Sequence, residues 1–156
     1  MRTAAVPAHR RWAAAAAALD EMLQNEWLWI VDPIDGTTNF IRGLPYFCTT
    51  HALVENEKVV GGWIYDPTRD EMYEATLDGG AYCNGNKLDP QWSPSLATGL
   101  VGICHSSRLT ADELSSRIAG ALERGAILRQ LGAAALMLCD LANGRLDVLF
   151  DEHDVF

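Results

Sequence analysis

The sequence predicts a layered α/β protein, an α+β sandwich of helices and mixed sheets. Two patterns predict it. Residues 48–88 hold a succession of short β-forming runs split by turn residues, the signature of an antiparallel meander. Residues 99–150 then alternate strand-like and helix-like segments. A chain of 156 residues, 49% hydrophobic and 21% charged, is long enough and apolar enough for one globular domain with a core.

The elements follow in order. Residues 12–25 are rich in Ala, Leu, Glu and Met and predict a helix. "WLWIVD" (27–32) is a short apolar run of β-formers and predicts a buried strand. "CTTHALV" (48–54) and "KVVGGWIYD" (58–66), split by the polar "ENE", predict a hairpin. Gly61 and Gly62 inside the second run predict a bulge or a close contact. "YDPTRDE" (65–71) reads as a hairpin turn, "EMYEA" (71–75) as a strand, and "GGAYCNGNKL" (79–88) as a strand with an Asn-Gly turn. Past Pro90 and Pro94 comes a strand at 99–107, then a helix at 110–125. Thr110 and Glu113 form a capping box there, and Gly125 stands where a C-terminal glycine belongs. A strand at 126–131, a helix at 132–144 ending on Asn143-Gly144, and a strand at 145–150 complete the pattern.

Composition excludes several classes. The net charge of -9 argues against a general binder of nucleic acid or anionic membrane, because phosphate backbones and anionic lipids select Lys and Arg. A small phosphorylated substrate stays allowed, since a bound cation reverses the local sign of a site. Cys48, Cys83, Cys104 and Cys139 never occur at C-x-x-C spacing, so they read as small apolar residues in a reduced, cytoplasmic setting. No run is long and apolar enough to span a bilayer, and "RRWAAAAAALDEM" reads as an alanine-rich helix rather than an export signal. The EF-hand pattern is absent. His51, His105 and His153 stand alone, and Ser106 and Ser107 lack a nucleophile frame.

The chemistry concentrates in "WIVDPIDGTTNF" (29–40). Asp32 and Asp35 lie at i and i+3 around Pro33, which fixes φ and stiffens the turn. Their carboxylates and the Ile34 carbonyl are hard oxygens, suited to Mg²⁺ rather than zinc. "GTTNF" offers backbone N–H groups at a helix or turn start, a natural phosphate cradle. Cation and cradle together suit phosphate ester hydrolysis, with the Thr37 hydroxyl orienting a water. By composition alone the stretch is an ordinary turn.

Resemblance changes that balance. "DPIDGTTNF" followed by "GLPYF" resembles the signature of the inositol monophosphatase family of Mg²⁺-dependent, lithium-sensitive phosphatases. Residues 59–88 are similar to the family's central meander, and 128–150 to its later Gly-small-Ala-Ala helix and strand; the likeness covers roughly residues 27–156. It implies metal ligation by Asp32, Asp35 and the Ile34 carbonyl. It also implies phosphate binding by the N–H groups of Gly36 and Thr37, and a nucleophilic water held by Thr37. Ala134 would face the alcohol portion of the substrate. Asp151 stands where the family has a glutamate that meets a substrate hydroxyl. The implied reaction is in-line attack by a metal-activated water on inositol phosphate or a similar small polyol phosphate. Substrates such as 3′-phosphoadenosine phosphate or histidinol phosphate are the alternatives, though "GTTNF" favours the inositol branch.

Two family ligands have no counterpart. The family's upstream Gly-Glu-Glu stretch matches "RWAAAAAALDEM", where alanines replace the glutamate. The family's Trp-Asp pair falls beyond Phe156. The expectation is a single domain truncated at both ends, with 1–26 a divergent N-terminal helix and 27–156 the family-like region, and with little or no activity by itself. The competing expectation is a catalytically inactive remnant or a dimerising module, with a homodimer as the assembly to test.

Overall fold

A computed structural model describes residues 26–90, 95, 97–104 and 110–150. The helix expected at 12–25, His105, Ser106, Ser107, Asp151 and His153 lie outside the described residues.

The meander forms as its alternation requires. Strands β1 (Trp27–Asp35), β2 (Cys48–Glu55), β3 (Lys58–Asp66), β4 (Glu71–Thr76), β5 (Gly80–Cys83) and β6 (Asn86–Lys87) make one six-stranded antiparallel sheet in sequence order. A short helix, α1 (Thr37–Arg42), leaves the end of β1. The glycine pair in β3 yields both expected features. The register slips between Leu53 and Val54, which face Gly61 and Val59 and leave Val60 as the extra residue. A Cβ on Gly61 would lie 2.6 Å from the Trp63 ring.

Three strands of the second half, β7 (Leu100–Ile103), β8 (Ile127–Arg129) and β9 (Val148–Phe150), form a parallel sheet in the order β8-β7-β9. Helix α2 (Ala111–Glu123) links β7 to β8, and α3 (Ala134–Ala142) links β8 to β9. The capping box of α2 forms as expected: Glu113 N–H donates to Thr110 Oγ1 at 3.2 Å, and Thr110 N–H donates to Glu113 Oε2 at 2.8 Å. Strands β7 and β9 are shorter than their apolar runs.

Helix α3 is the centre of the layering. Leu136 and Cys139 pack with Cys48 and Tyr73 of the antiparallel sheet, while Met137 packs with Leu146, Leu149 and Cys104 on the parallel side. A nine-residue helix that is apolar on both sides is what a middle layer needs. On the far face of the parallel sheet, Ala121 of α2 packs with Val101 and Ala126.

One expectation is corrected. β1 is not a buried strand: Trp29 is 56% exposed, and Trp27, Ile30 and Val31 are exposed too. Among the described residues it is the edge strand, paired with β2 alone, and an apolar run reads the same whether or not a layer covers it. Trp29 instead packs at a tilt against Trp63, with ring centroids 5.4 Å apart and planes 39° from parallel.

Candidate active site

The turn expected at Asp32–Asp35 is a β-bulge within a continuous strand. Asp32 faces Thr50 and Asp35 faces Cys48, so β1 spends two residues, Pro33 and Ile34, where β2 spends one. Without the extra residue, side chains at i and i+3 would point to opposite faces of the sheet. With it, both carboxylates share the face on which Thr50 and Cys48 lie. Pro33 fits there because the ladder bond it cannot make is already interrupted.

Gly36 then turns the chain into α1 with φ of +82°. The position is closed to other residues, because a Cβ would lie 2.9 Å from the Ala133 Cβ and 3.1 Å from the Tyr46 carbonyl oxygen. The first intrahelical bond runs from Phe40 N–H to the Gly36 carbonyl at 3.0 Å. The N–H groups of Thr37 and Thr38 ahead of it find no acceptor among the described residues. Thr37 Oγ1 donates to the Ile34 carbonyl at 2.9 Å.

Each aspartate is half used. Asp32 Oδ1 accepts from Ile34 N–H at 3.1 Å. Asp35 Oδ2 accepts from Ala135 N–H at 2.8 Å and lies 3.8 Å from the Cys48 sulfur. Cys48 is buried, and burial together with Asp35 pushes its thiol up to about 12, so near neutral pH it is a proton donor and not an anion. Asp32 Oδ2 and Asp35 Oδ1 accept nothing from the described residues. Carboxylate and carbonyl oxygens are the donors that hard divalent cations take. Among the described residues no group of three or more His, Cys, Asp or Glu is placed to hold a metal.

A cleft of about 440 Å³ opens beside the bulge, walled by Asp35, Thr38, Asn39, Leu131, Ala134 and Met137 among others. The structure thus brings Asp35 and Ala134 to one cavity. Asp32, Ile34, Gly36 and Thr37 adjoin it without lining it. Arg42 ends α1 on the surface.

Sequence reasoning missed the scaffold behind the bulge. Asn39 is buried, and its Nδ2 donates to the Tyr46 and Leu131 carbonyls, each at 2.7 Å. Asp140 of α3 is buried and accepts from Tyr46 Oη at 2.8 Å, from Arg69 Nη1 at 2.9 Å and from Arg145 Nη1 at 3.2 Å. Arg69 also pairs with the fully buried Asp66, and Arg145 with Glu71. Burial lowers the Arg69 pKa, but Asp66 and Asp140 outweigh it and raise it above its ordinary value. The Arg145 pairing holds the Glu71 carboxyl down at about 2. "YDPTRDE" is the expected hairpin turn, and it also bolts that turn to α3. One signal was available: a single acid in the apolar "AALMLCDLA" demands a buried partner.

The fold and the bulge define a layered α/β protein that presents paired carboxylates and a helix start beside a helix of small residues. The chain belongs to the inositol monophosphatase family, whose model matches residues 7–154. It is 36% identical over 140 residues to inositol monophosphatase 2 of Solanum lycopersicum, covering 88% of this chain and 53% of that protein. Its fold matches the extragenic suppressor protein suhB of Bartonella henselae, with a TM-score of 0.76 and 30% identity over 81% of this chain and 50% of that one. It also matches the inositol monophosphatase of Anabaena, with a TM-score of 0.72 and 32% identity over 80% of this chain and 50% of that one. The chain therefore spans about half the length of the relatives it matches. No helix among the described residues is long and apolar enough to cross a membrane.

Proposed function

We propose that this chain carries the aspartate half of a Mg²⁺-dependent phosphomonoesterase site for inositol phosphate or a similar small polyol phosphate. The bulge carries the reading, because it turns two carboxylates onto one face beside a helix start, and one oxygen of each and the first N–H groups find no partner among the described residues. Asp32, Asp35 and the Ile34 carbonyl would hold Mg²⁺. The ion would neutralise phosphoryl oxygens and lower the pKa of a bound water. Gly36 and Thr37 would present N–H groups to the phosphate, and the Thr37 hydroxyl would hold the attacking water. Ala134, from the wall of the cleft, and Asp151 would meet the alcohol portion of the substrate.

We infer little or no turnover by the chain on its own. Mg²⁺ sheds its waters reluctantly, and two carboxylates with one carbonyl make a weak site for it. The test pairs a calorimetric Mg²⁺ titration with phosphate release from inositol 1-phosphate in excess Mg²⁺. A weak saturable site that Asp35→Asn abolishes is expected, with no more phosphate released than by that variant. Robust turnover that vanishes in Asp35→Asn overturns the inference of inactivity and means that another acid completes the site. No saturable binding overturns the cation assignment and favours a non-catalytic module.

A further inference from the structure

We propose that Asn39 is a positioning residue: it sets the spacing between the aspartate bulge and the start of α3, and through that spacing the orientation of the Asp35 carboxylate. Two segments, 35–39 and 131–135, run past each other and are tied at both ends. Ala135 N–H donates to Asp35 Oδ2 at 2.8 Å, and Asn39 Nδ2 donates to the Leu131 carbonyl at 2.7 Å. Between the ties the segments meet where glycines leave no slack. A Cβ on Gly36 would lie 2.9 Å from the Ala133 Cβ, and one on Gly132 would lie 3.0 Å from the Asn39 amide nitrogen.

The same nitrogen donates to the Tyr46 carbonyl, so one side chain joins three segments. Only a primary amide of this length supplies two N–H donors from a single uncharged atom. Asn39 is buried, and removing its amide takes the shared donor away from two carbonyl oxygens at once. Helix α1 cannot supply the spacing itself, since it has six residues and no side-chain cap. With the Asn39 tie cut, the start of α3 is free to recede, and Asp35 loses the N–H that fixes one of its oxygens.

Hydrogen exchange followed by NMR on the full chain tests this. In Asn39→Ala the Ala135 amide should exchange roughly tenfold faster or more, while amides of the β3–β4 pairing keep their wild-type protection. Asn39→Asp keeps the shape and removes both donors. Facing two carbonyl oxygens, the introduced carboxyl takes up a proton more readily than a free one, and its protonated form regains one donor. Ala135 protection in that variant should therefore recover, relative to wild type, as pH falls from 7 towards 5. Unchanged Ala135 protection in a folded Asn39→Ala overturns the proposal. So does a uniform rise across all amides, which would mark a general stabilising role. Should Asn39→Ala fail to fold, the pH dependence of Asn39→Asp carries the test, and a flat response overturns it. A second arm, Mg²⁺ titration of wild type and Asn39→Ala, rests on Asp32 and Asp35 binding the ion. Affinity should fall at least roughly fivefold, and an unchanged affinity overturns the link to Asp35. A wild-type chain that binds no Mg²⁺ overturns the cation assignment and leaves the exchange result to decide the positioning role.

Discussion

Gly36→Ala measures how tightly the bulge is seated against α3. The left-handed backbone at Gly36, φ +82°, costs an alanine about 1–2 kcal/mol. The new methyl would meet the Ala133 Cβ at 2.9 Å, the Tyr46 carbonyl oxygen at 3.1 Å and the Phe47 Cα at 3.3 Å. Two of these three are backbone atoms, so no flexible side chain can swing away, and overpacking adds about 1–3 kcal/mol. Gly43→Ala isolates the second contribution. Gly43 has φ of +70°, at the other end of the same helix, and a Cβ there meets nothing within 4 Å. The gain from stiffening the unfolded chain is common to both variants and cancels in the difference. Urea unfolding should therefore show a loss of about 2–5 kcal/mol for Gly36→Ala and about 1–2 kcal/mol for Gly43→Ala. At a slope of about 2 kcal/mol/M, the first midpoint falls by roughly 1–2.5 M and the second by roughly 0.5–1 M. Equal shifts in the two variants would refute the close contact between the bulge and Ala133.

Other perturbations probe the scaffold and its charge. Asp140→Ala should cost about 3 kcal/mol in urea unfolding, at the low end for a broken buried ion pair because Arg69 and Arg145 keep Asp66 and Glu71 as partners. A loss under about 1 kcal/mol would mean that α3 does not depend on that contact. Glu71 has a pKa of about 2 when folded, below its unfolded value, so its pairing with Arg145 contributes stability above the unfolded pKa, and that contribution is lost as pH falls towards 2. Acid titrations of wild type and Glu71→Gln should accordingly differ most above pH ~5 and converge near pH ~2, and a constant gap would rule out the linkage.

Much of the fold was legible because its causes are local. The Thr110–Glu113 box, the Asn84-Gly85 turn and the alternation in residues 48–76 each fix their element within a few residues, and each formed. The aspartates of the site were legible as residues but not as geometry. Pro33 signalled a stiff turn, whereas the structural event is one extra residue in the β1–β2 ladder, which depends on the register of the partner strand. The scaffold was legible only as the lone acid of α3, which demands a partner without naming it. Its pairs, Asn39 with Leu131, Tyr46 with Asp140 and Asp35 with Ala135, stand 92, 94 and 100 residues apart. No periodicity connects such positions, and only the folded layers bring them together.

Those long-range pairs bear on what an intact aspartate motif means. The N-cap position of α3 is Ala133, which offers no side-chain oxygen to the orphan N–H groups of the first turn. Asp35 supplies that oxygen from another part of the chain, and its negative charge also suits the positive end of the helix dipole. One oxygen of Asp35 therefore serves folding, while the other accepts nothing from the described residues. The two uses separate by substitution. Asn keeps an oxygen that can accept from Ala135 N–H but removes the charge; Ala removes both. Asp35→Asn should lose Mg²⁺ binding with a stability cost of under about 1 kcal/mol, whereas Asp35→Ala should lose binding and about 1–2 kcal/mol, the upper part of the range for removed helix caps. If the two variants unfold at the same urea concentration, Asp35 is not the cap of α3. If they differ as expected, capping α3 requires an oxygen at position 35 but not its charge, so the cap explains a side-chain oxygen there and the carboxylate charge answers to something other than folding.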